Sequence, residues 1–293
     1  MKLRDFLLLL LVCILWAGNN IISKLAISHW HVTPLFYSAA RFAIVTVVTL
    51  PWLLPMPRPA WRIIAIGLGM GAGSFGLMFV ALYWASPSEA AIVVQSSVPM
   101  TTLLSIWLLK ERIGPWRANG IALALLGVLI VVWEPGFKVS AGMGFLLASA
   151  ICGSLGAVLM KQMGDIAPLQ FQAWVGLTGL IVLAPISAVV EPGALAAAQH
   201  AGWIFVAAVF WSALVTSVFA HTAYYFLIGR YEANLISPLT LMTPLITIGL
   251  GIAITGDHFD ARMALGSAVA LLGVLLVAIR RTNAPIAAVQ EHS

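Results

Sequence analysis

Residues 86–132 read SPSEAAIVVQSSVPMTTLLSIWLLKERIGPWRANGIALALLGVLIVV, and a weaker copy of this stretch occupies residues 229–278. The copies share a Glu–Ala start, a proline inside an apolar run, an acidic residue after that run, and the closing letters LLGVL. These features lie at Glu89 and Glu232, at Pro99 and Pro244, at Glu111 and Asp257, and at residues 125–129 and 271–275. The closing letters are 146 positions apart in a chain of 293 residues, which predicts two structural units of about equal length.

The composition excludes a soluble globular protein. Hydrophobic residues make up 61% of the chain, charged residues make up 9%, and the mean hydropathy is +1.02, whereas soluble domains have about 45–50% apolar and about 25% charged residues. Cys13 and Cys152 both lie in apolar runs, which supports neither a disulfide framework nor a thiolate metal site. The net charge of +5 does not indicate a nucleic-acid partner, because there is no basic patch with interleaved aromatic residues. We therefore expect an integral membrane protein with the lipid bilayer as its partner.

Apolar runs of about 20 residues, separated by proline, glycine and charge, predict ten membrane spans. We place them at residues 5–27, 34–54, 62–84, 88–109, 116–133, 141–161, 168–190, 202–229, 232–254 and 262–280. The N-terminal run resembles a signal peptide, but it continues to about Ile27 and is long enough to span. The predicted fold is all-α, with one five-helix repeat at 1–133, a second at 141–281, and a disordered cytoplasmic tail at 282–293.

The distribution of Lys and Arg predicts the orientation of these spans. With a cytoplasmic N-terminus, eleven of these residues lie on the inner side and two, Lys138 and Arg262, lie on the outer side. Both termini are then cytoplasmic. Five spans per repeat is an odd number, so the second repeat must be inverted relative to the first. Inverted repeats are typical of transporters that bind substrate near the middle of the bilayer and work by alternating access.

The acidic residues favour facilitated transport over proton exchange. All ten Asp and Glu residues fall at span ends, in loops or in the tail, so none is available as a proton relay in mid-membrane. His221, in the middle of span 8, is the one titratable group suited to proton transfer near neutral pH. It is either a substrate contact or proton site, or a neutral imidazole bonded to a neighbouring helix. No second histidine lies three or four positions away, so we predict no metal site, and we expect no cofactor.

Aromatic and neutral polar side chains recur at helical spacing on the faces of several spans. Such faces serve either helix packing or the lining of a substrate cavity, and an aromatic wall would accept a flat apolar side chain by stacking. The candidate substrate-binding residues are Trp16, Asn19, Asn20, Phe75, Phe79, Tyr83, Gln95, Ser154, His221, Tyr224, Tyr225 and Thr240. Neutral polar groups around an aromatic pocket suit a zwitterion or a polar neutral molecule better than a phosphate.

Candidate gate and hinge residues lie in spans 2, 4 and 9. Arg41 is roughly 10 Å inside span 2, and a charge at that depth requires a partner. We predict that it pairs with Glu89, at the outer start of span 4, as a structural clamp or gate. Pro99, Pro238 and Pro244 interrupt backbone hydrogen bonding inside spans and are the candidate hinges.

Over nearly its whole length the chain resembles an EamA-type member of the drug/metabolite transporter superfamily. The resemblance rests on WAGN at residues 16–19 followed by Lys24, on Pro34 and Arg41, and on the doubled pattern described above. It implies ten helices, cytoplasmic termini and a central cavity formed mainly by helices 1, 3, 4, 6, 8 and 9. Within the family, the length and the aromatic-rich helices are most similar to bacterial exporters of aromatic amino acids. The chain departs from strict symmetry, because Arg41 has no basic counterpart in span 7.

We therefore expect a bacterial inner-membrane exporter of small metabolites, with aromatic or other apolar amino acids as its substrates and a monomer as its working form. The alternative among transporters is a broad-specificity exporter of drugs or toxic compounds. A membrane-embedded enzyme is disfavoured, because the spans contain no HExxH motif, no Asp-rich motif and no buried carboxylate. A scaffold would not explain the inverted duplication, and a channel stays an alternative because no sequence pattern proves alternating access.

Overall fold

The computed structural model describes residues 1–109, 114–132, 140–160, 162–163, 166–231 and 239–279. These residues form helices joined by turns and irregular segments, and none of them lies in a β-strand. The prediction of an all-α fold is therefore confirmed for this part of the chain. The predicted tail at 282–293 lies outside the described residues.

The long helices follow one another with short connections and are numbered here in chain order. They are α1 (Leu3–His29), α2 (Pro34–Trp52), α3 (Ala60–Ala81), α4 (Pro87–Val93, Val94–Ser96 and Ser97–Leu109), α5 (Pro115–Val132), α6 (Ala141–Met160), α7 (Pro168–Val190), α8 (Trp203–Phe210, Trp211–Ala220 and His221–Arg230), α9 (Met242–Thr255) and α10 (Ala261–Ile279). A short helix that the sequence did not predict, Ala194–Ala201, precedes α8.

The described helices include seven that are long and apolar enough to cross a membrane, namely α1 to α4 and α6 to α8. Shorter apolar helices lie at Ala118–Val131, Met242–Thr255 and Ala261–Leu276, within α5, α9 and α10. Large apolar side chains also point away from the protein, such as Val189 at 81% and Trp203 at 78% exposure. Apolar surface on this scale requires lipid around it. The chain is a multi-pass membrane protein, and ten spans in two inverted repeats stay a prediction.

The two LLGVL segments lie against each other in the contact between α5 and α10. A Cβ atom at Gly127 in α5 would collide with the backbone of Ala270 in α10, and a Cβ atom at Gly273 would collide with the backbone of Ala124. The two contacts are equivalent, because Gly273 lies 146 positions after Gly127 and Ala270 lies 146 positions after Ala124. Residue 124 of α5 contacts residue 273 of α10, and residue 127 of α5 contacts residue 270 of α10. The residue numbers run in opposite directions along the contact, so the two helices are antiparallel.

Glycine also brings α3 close to its neighbours. A Cβ atom at Gly71 would lie 2.6 Å from the carbonyl oxygen of Val175 in α7, and a Cβ atom at Gly69 would lie 3.1 Å from the carbonyl oxygen of Cys152 in α6. Small residues permit such close helix packing in membranes. As a result α3 packs closely against α6 and α7, and Phe79 near its end is fully buried.

Several helices depart from regular α geometry near the centre of the molecule. Both α3 and α8 widen into π-helical segments, at Leu68–Gly76 and Trp211–Ala220, and π-helical turns are rare and frequently lie at functional sites. In α4 the segment Val94–Ser96 narrows to a 3-10 turn. Pro99 follows this turn, and it has no N–H to donate to the carbonyl group four residues earlier. The irregular backbone thus coincides with one of the predicted hinges.

Candidate functional site

Two adjoining cavities lie between the helices at the centre of the protein. The first, which we call the aromatic chamber, has a volume of about 170 Å³ and is lined by Trp16, Asn19, Asn20, Phe75, Met78, Phe79, Thr216 and His221. The second, which we call the polar chamber, has a volume of about 200 Å³ and is lined by Trp16, Asn20, Met78, Ala90, Ala91, Val94, Gln95, Thr240, Thr243 and Pro244. Trp16, Asn20 and Met78 line both chambers. A ligand in one chamber therefore lies next to the other chamber.

Rings from three helices meet in the aromatic chamber. The Trp16 ring of α1 lies 5.2 Å from the His221 ring and 5.1 Å from the Tyr224 ring, both in α8. The Phe75 ring of α3 approaches His221 edge-on, with 6.2 Å between the ring centroids. These separations are typical of favourable aromatic contacts. The chamber therefore presents tilted ring faces and edges against which a flat apolar group can pack.

His221 is held in place by its own helix. Its Nδ1 atom lies 2.7 Å from the carbonyl oxygen of Thr216, five residues earlier, which is a contact that the π-helical geometry of α8 brings about. A carbonyl oxygen only accepts hydrogen bonds, so Nδ1 carries a hydrogen. In the neutral ring, Nε2 is then the acceptor. His221 consequently offers a ligand in the chamber a hydrogen-bond acceptor that is fixed in direction.

The polar chamber forms at the irregular turn within α4 and at the turn that precedes α9. Gln95 lies in the 3-10 turn of α4, and Thr240 lies in the turn that precedes α9. Pro244, in the first turn of α9, also lines this chamber. Irregular backbone at membrane depth is tolerated where it is buried in protein or lines a cavity. Neutral amide and hydroxyl groups are thereby brought beside the aromatic wall.

Four buried polar atoms around the chambers have no hydrogen-bond partner among the residues that the structure describes. They are Nε1 of Trp16, Oδ1 of Asn19, Oγ1 of Thr216 and Oγ1 of Thr243. A buried polar group without a partner costs about 1–3 kcal/mol. A polar ligand that supplied these partners would recover part of that free energy. The chambers therefore suit a molecule with an apolar ring and several polar groups.

Arg41 lies directly behind the wall of the aromatic chamber. Its Cζ atom is 4.3 Å from the centroid of the Phe75 ring and 5.4 Å from that of Phe79. Its Nε atom donates to Oγ of Ser217 at 2.9 Å. The residue is 1% exposed, and its Nη1 atom has no hydrogen-bond partner in the described part of the chain. The arginine is thus held by aromatic faces and one hydroxyl group.

The predicted pair between Arg41 and Glu89 is not formed. Oε2 of Glu89 accepts from the backbone N–H of Ser86 at 2.7 Å, and the Glu89 N–H donates to Oγ of Ser86 at 3.1 Å, which completes a capping box at the start of α4. Local capping therefore engages the carboxylate, because its helix N-terminus lies three residues away. The prediction of an Arg41–Glu89 ion pair is therefore wrong. That Arg41 and Glu89 take part in gating stays a prediction.

A different set of contacts joins the helix ends near Glu89. The carboxylate of Asp257, just beyond α9, accepts from the backbone N–H of Ser88 at 3.0 Å and also from the Ser88 hydroxyl. The Nζ atom of Lys24, in α1, donates to the carbonyl oxygens of Leu82 and Ala85 at 2.8 and 2.9 Å. These contacts tie the ends of α1, α3, α4 and α9 together at one side of the molecule. We call them the end latch.

The structure brings most of the predicted binding residues together. Those that line a chamber are Trp16, Asn19, Asn20, Phe75, Phe79, Gln95, His221 and Thr240, with the hinge candidate Pro244. Tyr224 contacts the Trp16 ring. The side chain of Tyr225 and the whole of Pro238 lie outside the described part of the structure.

Three predicted residues with described side chains line neither chamber, namely Tyr224, Tyr83 and Ser154. Tyr83 lies at the end of α3, is 55% exposed and packs against the neighbouring Trp84 ring, because the helix ends at Ala81 and its face no longer continues. Ser154 donates to the carbonyl oxygens of Ser97 and Ala150, which makes it a contact between α6 and α4.

Six chamber residues were not predicted from the sequence, namely Met78, Ala90, Ala91, Val94, Thr216 and Thr243. Met78 lies three residues after Phe75 on the same helix, so the predicted aromatic face should have included it. Thr243 lies three positions after the predicted Thr240, so the same helical spacing could have indicated it. Thr216 depends on the π-helical stretch of α8, for which the sequence carried no signal. Within the described residues, no group of three or more His, Cys, Asp or Glu side chains could hold a metal ion.

Comparisons with known proteins agree with this architecture. The sequence profile of the EamA-like transporter family matches residues 4–133 and 140–279. A relative from Salmonella typhimurium, named probable amino-acid metabolite efflux pump, is 24% identical over 289 residues, which cover 94% of this chain and 95% of the relative. The uncharacterized inner membrane transporter YedA of Escherichia coli K12 is 26% identical over 277 residues, which cover 91% of this chain and 88% of YedA.

One solved structure, described only as the crystal structure of a protein, superposes on this chain with a TM-score of 0.61. The match covers 94% of this chain and 96% of the other at 18% identity, which indicates a shared fold. The family profile matches both halves of the sequence, and the fold agrees with that of the solved structure. The chain therefore belongs to the EamA-like transporter family.

Proposed function

We propose that this protein exports small metabolites, most of all aromatic or other apolar amino acids, across a bacterial inner membrane by alternating access. The observation that carries the proposal is the aromatic chamber joined to a chamber of neutral polar groups. The ring contacts of Trp16, Phe75 and His221 suit the side chain of such an amino acid. The amide and hydroxyl groups of Asn20, Gln95 and the two threonines of the polar chamber suit its polar end.

The relatives support the same class of substrate and location. The Salmonella protein, which matches nearly the whole chain, carries a name that refers to amino-acid metabolites and efflux. YedA, which also matches most of the chain, is named as an inner membrane transporter. We infer that the present chain is likewise a transporter of the inner membrane and not an enzyme, with both termini in the cytoplasm.

The contact between α5 and α10 supports two inverted five-helix halves with ten spans. Two segments 146 positions apart contact each other reciprocally and run antiparallel. A twofold axis in the membrane plane produces this arrangement and relates inverted repeats in transporters. We propose that the two halves move relative to each other about this contact, with Pro99, Pro238 and Pro244 as hinges.

The placement of charge supports facilitated transport. Within the described residues, Asp5, Glu89, Glu191, Asp257 and Asp260 all lie at helix ends or in connections. A proton relay through a carboxylate in mid-membrane therefore has no candidate among them. The alternative function, export of a broad range of drugs or toxic compounds, is favoured by one observation, namely that ring faces make up much of the aromatic chamber.

The test is uptake of labelled phenylalanine into proteoliposomes with and without a pH gradient. We expect saturable uptake that unlabelled aromatic amino acids compete with and that the pH gradient does not change. Replacing Asn20, which lines both chambers, by leucine should lower uptake, whereas Gln199→Leu on the exposed face of the short helix should not. Uptake no greater than that of empty liposomes would contradict the amino acid assignment, and flux that never saturates would indicate a channel.

A further inference from the structure

A buried positive charge lies just behind the wall of the aromatic chamber. Arg41 is 1% exposed, and its guanidinium lies over the Phe75 ring at 4.3 Å, while the Phe75 ring itself lines the chamber. Ser217, which accepts the hydrogen bond from Nε of Arg41, is next in sequence to the chamber residue Thr216. One layer of side chains therefore separates the guanidinium from a ligand in the chamber.

This charge has no carboxylate to balance it in the described part of the chain. The ion pairs found there join Asp5 to Arg230 and Asp260 to Arg262, and neither includes Arg41. Three aromatic rings, those of Phe42, Phe75 and Phe79, face the guanidinium. Ring faces stabilise a cation only in part, and Nη1 of Arg41 has no hydrogen-bond partner among the described residues.

Among the residues that the structure describes, the lining of the chamber carries no opposing charge. Its lining consists of aromatic, amide, hydroxyl and thioether side chains, together with His221. An isolated cation at this depth is costly, and an anion brought within one ring of it would be attracted in a medium of low dielectric constant. A lipophilic amine in the same place would be repelled.

We propose that Arg41 gives the aromatic chamber its charge selectivity, so that the site takes ring compounds that carry a carboxylate and excludes lipophilic cations. This inference rests on the proposed function, because it names the feature by which an amino acid would be recognised. Arg41 acts here through the Phe75 wall as a positioning and selectivity residue. The carboxylate of the substrate supplies the negative charge that the described part of the protein does not place beside it.

The experiment uses three probes with one phenyl group and different charges, namely 3-phenylpropionate, 3-phenylpropanol and 3-phenylpropylamine. Each is titrated against the purified full-length protein in detergent, and the rise in melting temperature is followed, since a ligand that binds the folded state stabilises it. We expect the wild-type protein to bind the carboxylate about tenfold more tightly than the amine, given one unit charge at short range in a low dielectric. The alcohol should fall between the two.

Three variants separate selectivity from stability. Arg41→Gln should abolish the preference for the carboxylate and leave binding of the alcohol unchanged, and Arg41→Lys should retain a weaker preference. The matched control is Arg58→Gln, which removes the same charge from an exposed position between α2 and α3 and should behave like the wild type. A preference that persists in Arg41→Gln would overturn the proposal.

The wild-type titration decides the matter even if Arg41→Gln does not fold, because equal binding of the carboxylate and the amine would overturn the proposal without any variant. The outcome is also separable from that of the transport assay. Carboxylate selectivity without phenylalanine uptake would contradict the proposed function and leave this inference standing. Phenylalanine uptake without charge selectivity would contradict this inference and leave the proposed function standing.

Discussion

At the scale of single residues, Trp16 connects the two chambers. It lines both of them, and its ring contacts His221 and Tyr224 of α8. Its Nε1 atom is buried without a partner among the described residues. An indole in this position can stack against a ligand and also donate a hydrogen bond to it.

Replacing Trp16 by leucine should therefore raise the KM for phenylalanine by roughly 2- to 10-fold, because an aromatic contact contributes about 0.5–1.5 kcal/mol beyond its buried area. Uptake into proteoliposomes at several substrate concentrations measures the change. The control is Trp107→Leu, a tryptophan of α4 that is 75% exposed on the outside of the protein. Equal effects of the two substitutions would contradict a role of Trp16 in binding.

The chamber residues show what sequence reasoning can and cannot provide. Helical spacing and chemical type were enough to select Trp16, Phe75, Gln95 and Thr240. They failed for Tyr83, because α3 ends before it, and for Arg41, because a capping box engages the Glu89 carboxylate. Spacing along a helix predicts on which face of the helix a residue lies. It does not predict where the helix ends, or whether another group already binds the expected charged partner.

At the scale of helices, regular periodicity is interrupted where the chambers lie. The π-helical segments of α3 and α8 contain more than 3.6 residues per turn, so the side chains after them point in a different direction from that expected for a regular α-helix. The direction predicted at 3.6 residues per turn is therefore wrong beyond these segments. Pro99 signalled the interruption in α4, and Pro244 lies just after the turn that precedes α9, whereas the π-helical segments of α3 and α8 contain no proline. All-helical structure and several of the long apolar helices were thus predictable, and the rotation of α8 beyond Trp211 was not.

The contact between α5 and α10 gives a prediction about stability. Gly127→Ala should destabilise the protein by about 1–3 kcal/mol, because the new methyl group meets the backbone of Ala270, which has no flexible side chain to move aside. Gly273→Ala should do the same through Ala124. Unfolding in mixed detergent micelles measures the loss. Gly144→Ala is the control, since a Cβ atom there meets nothing within 4 Å, and an equal loss in that variant would contradict the prediction.

At the scale of the whole molecule, the end latch holds the start of α4 against the end of α9 on one side of the protein. Asp257 holds the first turn of α4 through two hydrogen bonds to Ser88, and a hydrogen bond to a charged group contributes about 1.5–3 kcal/mol. Under the alternating access that we propose, opening of the chambers on that side requires α4 and α9 to separate. We therefore expect the latch to favour the conformation that is closed on the side of Lys24 and Ser88.

Asp257→Ala should increase the population that is open on this side by tenfold or more, on the same range of about 1.5–3 kcal/mol. The measurement is the rate at which a membrane-impermeant thiol reagent labels Asn20→Cys in a background with Cys13→Ser and Cys152→Ser. The control is Asp260→Ala, which removes a neighbouring carboxylate that caps the start of α10 by accepting from the N–H of Met263. Unchanged labelling in Asp257→Ala would argue that other contacts keep this side closed.

The reciprocal contact between α5 and α10 also bears on how such a chain can arise. A surface that meets its own copy is self-complementary, as in the interface of a twofold homodimer. A protein of half this length that paired in this way would carry every substitution twice, once in each subunit. A single fused chain carries each substitution once, so its halves are free to diverge. Arg41, with no basic counterpart in α7, is an asymmetry that fusion permits and that two identical subunits could not have.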